Sequence, residues 1–147
     1  RIEREAALGL NSPAVLSKLQ QNIARRRIAV NDFIQNREKG RILVGYGAPA
    51  KAVTFISEMG LENVGIMAIL DDNLSKQGRY LPSSGIPITS KEELIRKLRD
   101  FKKGEEPLDF MIFPWNLGAE LVSKLKAWAP KQSRVITFFP ELQIVSL

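Results

Sequence analysis

The stretch Arg41-Ile-Leu-Val-Gly-Tyr-Gly-Ala-Pro-Ala-Lys51 constrains this chain more than any other. An apolar run meets two glycines one residue apart and passes at once into a helix-forming segment, the pattern of a buried strand turning tightly into a helix. Further on, residues 64–70 read as a second apolar strand, closing on Asp71-Asp72-Asn73. Strand, glycine turn, helix and a second strand ending in carboxylates make up the opening of a nucleotide-binding α/β unit.

The rest of the sequence continues the alternation. Strands are expected at 41–45, 64–70, 109–113 and 134–139, with short edge strands at 86–88 and 142–146. The main strand cores are nearly continuous apolar runs, as strands covered on both faces require. Helices are expected at 50–59, 90–102 and 117–128; Ser90 with Glu93 has the form of a capping box, and Gly104 is a helix stop. The fold class is therefore α/β, a Rossmann-like open, mostly parallel sheet covered by helices on both faces and preceded by a long N-terminal helix. Ser12 and Pro13 start that helix and Gly40 stops it, predicting about 26 residues and a length of roughly 40 Å. Leu16, Leu19, Ile23, Val30 and Phe33 recur along it at helical spacing as a narrow apolar stripe. Residues 1–40 are thus expected to form an arm and a packing or connector helix, and residues 41–147 the α/β domain. A chain that opens on Arg1 rather than methionine reads as an excised domain or a processed product.

Composition removes whole classes of chemistry. With no histidine and no cysteine, the chain has no Cys/His zinc site, no thiol nucleophile, no Ser-His-Asp triad and no imidazole acid–base catalyst. No run approaches the roughly 18 apolar residues of a membrane span, and no signal-peptide pattern occurs, so no membrane partner and a cytoplasmic location are expected. The net charge of +6 lies mainly in the first 40 residues, which hold 8 basic and 4 acidic side chains. Arg25-Arg26-Arg27 wraps around its helix instead of lining one face, and no aromatic platform alternates with it, so nucleic acid is not an expected partner.

In an open parallel sheet, ligands bind at the carboxyl ends of the strands. Gly45, Tyr46, Gly47, Ala48 and Pro49 follow the first strand there, and Lys51 adds a cation suited to phosphate. The spacing Gly45-x-Gly47-x-x-Ala50 is that of a dinucleotide fingerprint with alanine in the third glycine position. A glycine turn that merely links strand to helix has the same pattern. Asp71 and Asp72 stand where a ribose-binding carboxylate belongs, or else form a solvated turn; as neighbours on a strand end they point apart, which disfavours a metal site. Asn73, Lys76 and Gln77 open a loop long enough to fold over a ligand. Trp115 and Asn116 offer a stacking face and an amide pair for a base or sugar, or a core tryptophan beside a cap; Glu141 follows the fourth strand.

Gly45-Tyr-Gly-Ala-Pro-Ala-Lys51, Leu70-Asp-Asp-Asn-Leu-Ser-Lys-Gln-Gly-Arg-Tyr-Leu-Pro82, Gly85-Ile-Pro-Ile88, Pro114-Trp-Asn116 and Phe139-Pro-Glu-Leu142 together resemble, in matching order over residues 15–147, the C-terminal domain of the SAM-dependent sugar C-methyltransferases. The resemblance implies a three-part enzyme: an N-terminal zinc-binding region, a central domain that binds S-adenosylmethionine (SAM), and this domain, which helps hold a nucleotide-linked keto-sugar. It also implies that the SAM site and the catalytic groups lie in the upstream domain, so this fragment is expected to hold no catalytic residue, metal or cofactor of its own. Under this hypothesis the glycine turn and Lys51 contact phosphate or sugar, Asp72 and Asn73 contact hydroxyls, and Trp115, Asn116 and Glu141 complete the pocket. The alternatives are a free-standing nucleotide- or NAD-binding regulatory module and an interaction domain with a vestigial cleft.

Overall fold

The computed structural model of the protein describes residue 9 and residues 12–100, 105–114 and 119–147. Helix α1 (Pro13–Gln35) leads into strand β1 (Ile42–Tyr46), followed by α2 (Ala50–Met59), β2 (Ile66–Leu70), β3 (Ile88–Thr89), α3 (Lys91–Asp100), β4 (Leu108–Ile112), α4 (Ala119–Lys126), β5 (Arg134–Thr137) and β6 (Gln143–Ser146). The strands form one sheet in the order β3-β2-β1-β4-β5-β6. The first five run parallel and β6 returns antiparallel to β5. The chain thus builds the mostly parallel Rossmann-like sheet that its sequence predicts, with the long helix ahead of it.

Alternation along β1 explains how both faces are covered. Ile42, Val44 and Tyr46 join Leu94 and Leu98 of α3 and Leu121 and Leu125 of α4 in one apolar cluster. Leu43 points the other way, to Ala52, Ile56 and Met59 of α2 and Val30 of α1. Every position of such a strand is apolar because both sides are buried. β4 repeats the pattern except at Asp109, with Leu108 and Phe110 fully buried on the α3/α4 side and Met111 on the other.

Helix α1 starts as its sequence dictates: the Ser12 hydroxyl accepts the amide of Val15 at 3.3 Å and Pro13 takes the first turn. It ends at Gln35, short of the expected stop at Gly40; Asn36 caps it, its N–H making the last helical bond to the Asp32 carbonyl and its side-chain amide donating to the same oxygen. The chain then leaves the helix axis and brings Glu38 to Arg134, 2.9 Å away. Val30 is buried and Phe33 and Ile34 pack beside it, whereas Leu16 and Leu19 of the expected stripe are more than half exposed. At α3, Ser90 caps the amide of Glu93 at 3.2 Å, but the Glu93 carboxylate turns outward to Arg96 and Lys97 instead of completing a capping box. Gly104 and the start of the helix expected from 117 lie outside the described residues. β5 stops at Thr137, two residues early, because the chain reverses there to pair as β6.

Buried charge holds the amino ends of β1, β4 and β5 together. Asp109, wholly inaccessible, accepts from Arg41 Nε at 2.7 Å and from Arg134 Nε and Nη2 at 3.0 and 2.9 Å. Arg41 also donates to the Gln132 carbonyl at 2.6 Å, and Arg134 to Glu38 at 2.9 Å. A carboxylate buried between two guanidinium groups is tolerable because both of its oxygens are hydrogen-bonded to cations. The opposite edge of the sheet, at the carboxyl ends, carries the glycine turn and the acidic pair.

Candidate functional site

Strand order reverses between β1 and β4, with β2 and β3 on one side and β5 and β6 on the other. α2 follows β1 on one face and α4 lies on the other; the carboxyl ends of β1 and β4 at this reversal are the crevice where open α/β sheets take their ligands. Glycines let the two loops approach. A Cβ on Gly45 would lie 2.7 Å from Phe113 Cε2 and 2.9 Å from Ile69 Cγ1. One on Gly47, where φ is +80°, would lie 2.5 Å from Pro114 Cγ. Side chains are excluded at both positions by space, and at Gly47 by backbone conformation as well.

The acidic pair after β2 divides its tasks. Asp71 turns toward the glycine turn: Oδ2 accepts the Ala48 amide at 2.7 Å and the Lys76 ammonium at 3.1 Å, while Oδ1 accepts the Asn73 amide at 2.9 Å. Lys76 also donates to the Ala48 carbonyl at 3.0 Å, and Gln77 Nε2 to the Asp71 carbonyl at 2.9 Å. Asp72 turns to the α4 side, where its Oδ2 accepts both the Tyr46 hydroxyl and the Lys124 ammonium at 2.6 Å. Lys124 stands 3.2 Å from the same hydroxyl, closing a triangle of tyrosine, carboxylate and lysine. Asn73 serves its own turn, accepting from the Ser75 amide and hydroxyl at 3.0 and 2.8 Å. Beyond it, the loop expected to be able to fold over a ligand is tied to β3 at Ile88, whose N–H donates to the Arg79 carbonyl and whose carbonyl accepts the Gly78 amide, and by the buried side chains of Leu81 and Ile86.

These contacts set the charge states. Burial works to raise the Asp71 carboxyl, but the Ala48 and Asn73 amides and the Lys76 ammonium outweigh it, and its pKa lies below the ordinary value. Hydrogen bonds from Lys124 and then Tyr46 lower Asp72, and the Asp72 bond in turn raises Lys124. Burial, then the bond to Asp72, raises the Tyr46 phenol. Depressed carboxylates contribute stability that is complete above their unfolded pKa near 3.8 and is lost as pH falls through the lower folded values. The domain should therefore lose thermal stability on acidification below about pH 4. Differential scanning from pH 7 to pH 2 should show a shallower loss for the Asp71→Asn/Asp72→Asn double variant than for the parent.

On the α1/α2 side of the same strand ends lies a cleft of about 320 Å³, walled by Phe55, Phe113 and Phe138, with Phe139, Lys51 and Arg26 also lining it. The Phe55 ring lies 4.8 Å from that of Phe138 and 6.0 Å from that of Phe113. Arg26 reaches from α1 across Phe139, its guanidinium 4.0 Å from the ring centre, and donates to the Pro140 carbonyl at 3.4 Å.

The structure thus gathers the candidate residues into separate groups. Tyr46 and Asp72 meet around Lys124; Ala48, Asp71, Lys76 and Gln77 form a second cluster; Lys51, on the exposed first turn of α2, lines the aromatic cleft. Glu141 is exposed beyond β5, beside Arg25 in a separate hollow. Trp115 and Asn116 lie outside the described residues. Sequence reasoning passes over Lys124, which lies 52 residues from its partner Asp72. Its placement before inward-facing Leu125 was the available signal. The cleft phenylalanines come from the middle of α2 and the ends of β4 and β5, and nothing in their local sequence marks them as neighbours.

A sequence profile of the C-methyltransferase C-terminal domain matches residues 1–140. The C-methyltransferase NovU of Streptomyces niveus is 30% identical over 107 residues, which are 73% of this chain and 24% of that protein. The match thus spans about a quarter of that curated relative's length. Among solved structures, UDP-D-quinovosamine 4-dehydrogenase from Vibrio fischeri aligns over 73% of this chain and 93% of its own, with 14% identity and a TM-score of 0.45. The profile match spans nearly the whole Rossmann-like domain and the long helix before it, and on that ground the chain belongs to the C-methyltransferase C-terminal domain family.

Proposed function

We propose that this is the substrate-holding domain of a cytoplasmic, SAM-dependent C-methyltransferase, that it binds a nucleotide-linked keto-sugar, and that it has no catalytic activity alone. The observation carrying this reading is the crevice at the strand-order reversal, where Lys51 stands on the first turn of α2 beside a cleft walled by aromatic rings. A ring-lined cleft next to a cation suits a ligand with a planar base and a phosphate. Residues 1–40 serve as the connector to an upstream domain, and residues 41–147 as the binding domain.

SAM supplies an electrophilic methyl group, and this chain fits it poorly. Asp72, placed to take ribose hydroxyls, is already bound to Tyr46 and Lys124, and the amides of the glycine turn are used internally. The cofactor is therefore assigned to the upstream domain, together with the base that removes a proton beside the sugar's keto group. The role left to this chain is to bind and orient the nucleotide end. Calorimetric titration of the full-length enzyme with a nucleotide-sugar panel, with NAD as comparator, tests it. Lys51→Ala should weaken nucleotide-sugar affinity about tenfold, through loss of one charge-assisted phosphate contact. Unchanged affinity in a folded Lys51→Ala enzyme would refute the assignment.

A further inference from the structure

We infer that Asp71 acts as a built-in anion that closes the glycine turn to the pyrophosphate of a dinucleotide, and so determines which ligands this domain rejects. The spacing Gly45-x-Gly47-x-x-Ala50 is that of a dinucleotide fingerprint, in which backbone amides of the turn and the following helix end receive the pyrophosphate. Here the amides of the turn itself are accounted for. The Gly47 N–H donates to the Leu70 carbonyl at 2.6 Å, the Ala48 N–H donates to Asp71 Oδ2 at 2.7 Å, and Pro49 has no N–H to offer. The cation beside the turn is engaged as well, since Lys76 bridges the Ala48 carbonyl and the Asp71 carboxylate at 3.0 and 3.1 Å.

Asp71 is itself held in this pose from several sides. The Asn73 amide fixes Oδ1 at 2.9 Å, Gln77 fixes its backbone carbonyl, and the Asp71 side chain is only 10% exposed. An incoming pyrophosphate would have to displace a carboxylate that belongs to the same chain and therefore competes at a high effective concentration. The depressed pKa of Asp71 keeps that competitor charged throughout the neutral range. A diphosphate-bearing ligand is left with the α2 side of the crevice, where Lys51 stands. The turn excludes a dinucleotide's pyrophosphate whichever sugar the domain takes.

The test follows the backbone amide signals of Gly47 and Ala48 in the 15N-labelled chain during titration with NAD and with inorganic pyrophosphate. The parent chain should show no movement of either signal. Asp71→Ala frees the Ala48 amide and Lys76 together, and should tighten pyrophosphate binding by about tenfold or more, with the Ala48 signal moving. Movement of the Ala48 signal with NAD in the parent chain would overturn the inference, as would a folded Asp71→Ala variant that binds pyrophosphate no better than the parent. If Asp71→Ala does not fold, Asp71→Asn decides the matter. It can keep the hydrogen bond to Ala48 while freeing Lys76, so a smaller gain over the parent is expected, and no gain refutes the proposal. The nucleotide-sugar affinity of Lys51→Ala is a separate readout, so failure of one reading leaves the other standing.

Discussion

Asp109→Ala should destabilise the domain by about 3–5 kcal/mol, the usual result of removing one partner from a buried ion pair. The loss arises from what remains behind: Arg41, with its side chain 5% exposed, and Arg134, at 18%, would face each other across an empty site without the carboxylate that both now contact. The three residues tie together the amino ends of β1, β4 and β5, so the damage falls on the centre of the sheet rather than on an edge. Urea denaturation should show a lower midpoint with little change in slope. Arg96→Ala is the control. Its pair with Glu93 is largely exposed, and its removal should cost under about 1 kcal/mol. A comparable loss from the two variants would show that the buried cluster holds the sheet no better than a surface pair does.

Gly47→Val should cost roughly 3 kcal/mol, from a branched side chain forced into the left-handed region and pressed against a neighbouring loop. The neighbour is Pro114, whose ring would lie 2.5 Å from the new Cβ and has little freedom to yield. Gly60→Ala separates the two contributions, since Gly60 has a similar φ of +70° as the cap of α2 but opens onto empty space. It should cost only about 1 kcal/mol, the conformational part alone. Thermal unfolding of the pair reads the difference directly. Equal losses would mean that the β1 and β4 loops can separate at the crevice without penalty, contrary to the packing seen there.

Much of this architecture is legible in the sequence because its signals are local. The apolar run of β1, the Ser12-Pro13 helix start and the helix over 50–59 each rest on signals within a few residues, and each appears where its chemistry places it. The same locality accounts for the errors. Gly40 is a plausible stop, but α1 ends earlier, where Asn36 caps it, and Glu93 prefers exposed cations to the reciprocal half of a capping box. The acidic pair after β2 is visible at once, whereas the partners that give each carboxylate its task come from 23 residues away at Ala48 and 52 residues away at Lys124.

By itself the sequence determined the class of fold and the placing of the glycine turn and acidic pair at the carboxyl ends of the strands, since strand periodicity, helix caps and a glycine turn after a buried strand are properties of short segments. Tertiary structure alone decided what the candidate residues do. It directed Asp71 into the glycine turn and Asp72 to a lysine on α4, and it assembled an aromatic cleft beside Lys51 from α2 and the ends of β4 and β5. Hydrogen-bond partners and cleft walls depend on which distant segments the sheet order brings side by side, and no local pattern encodes that order.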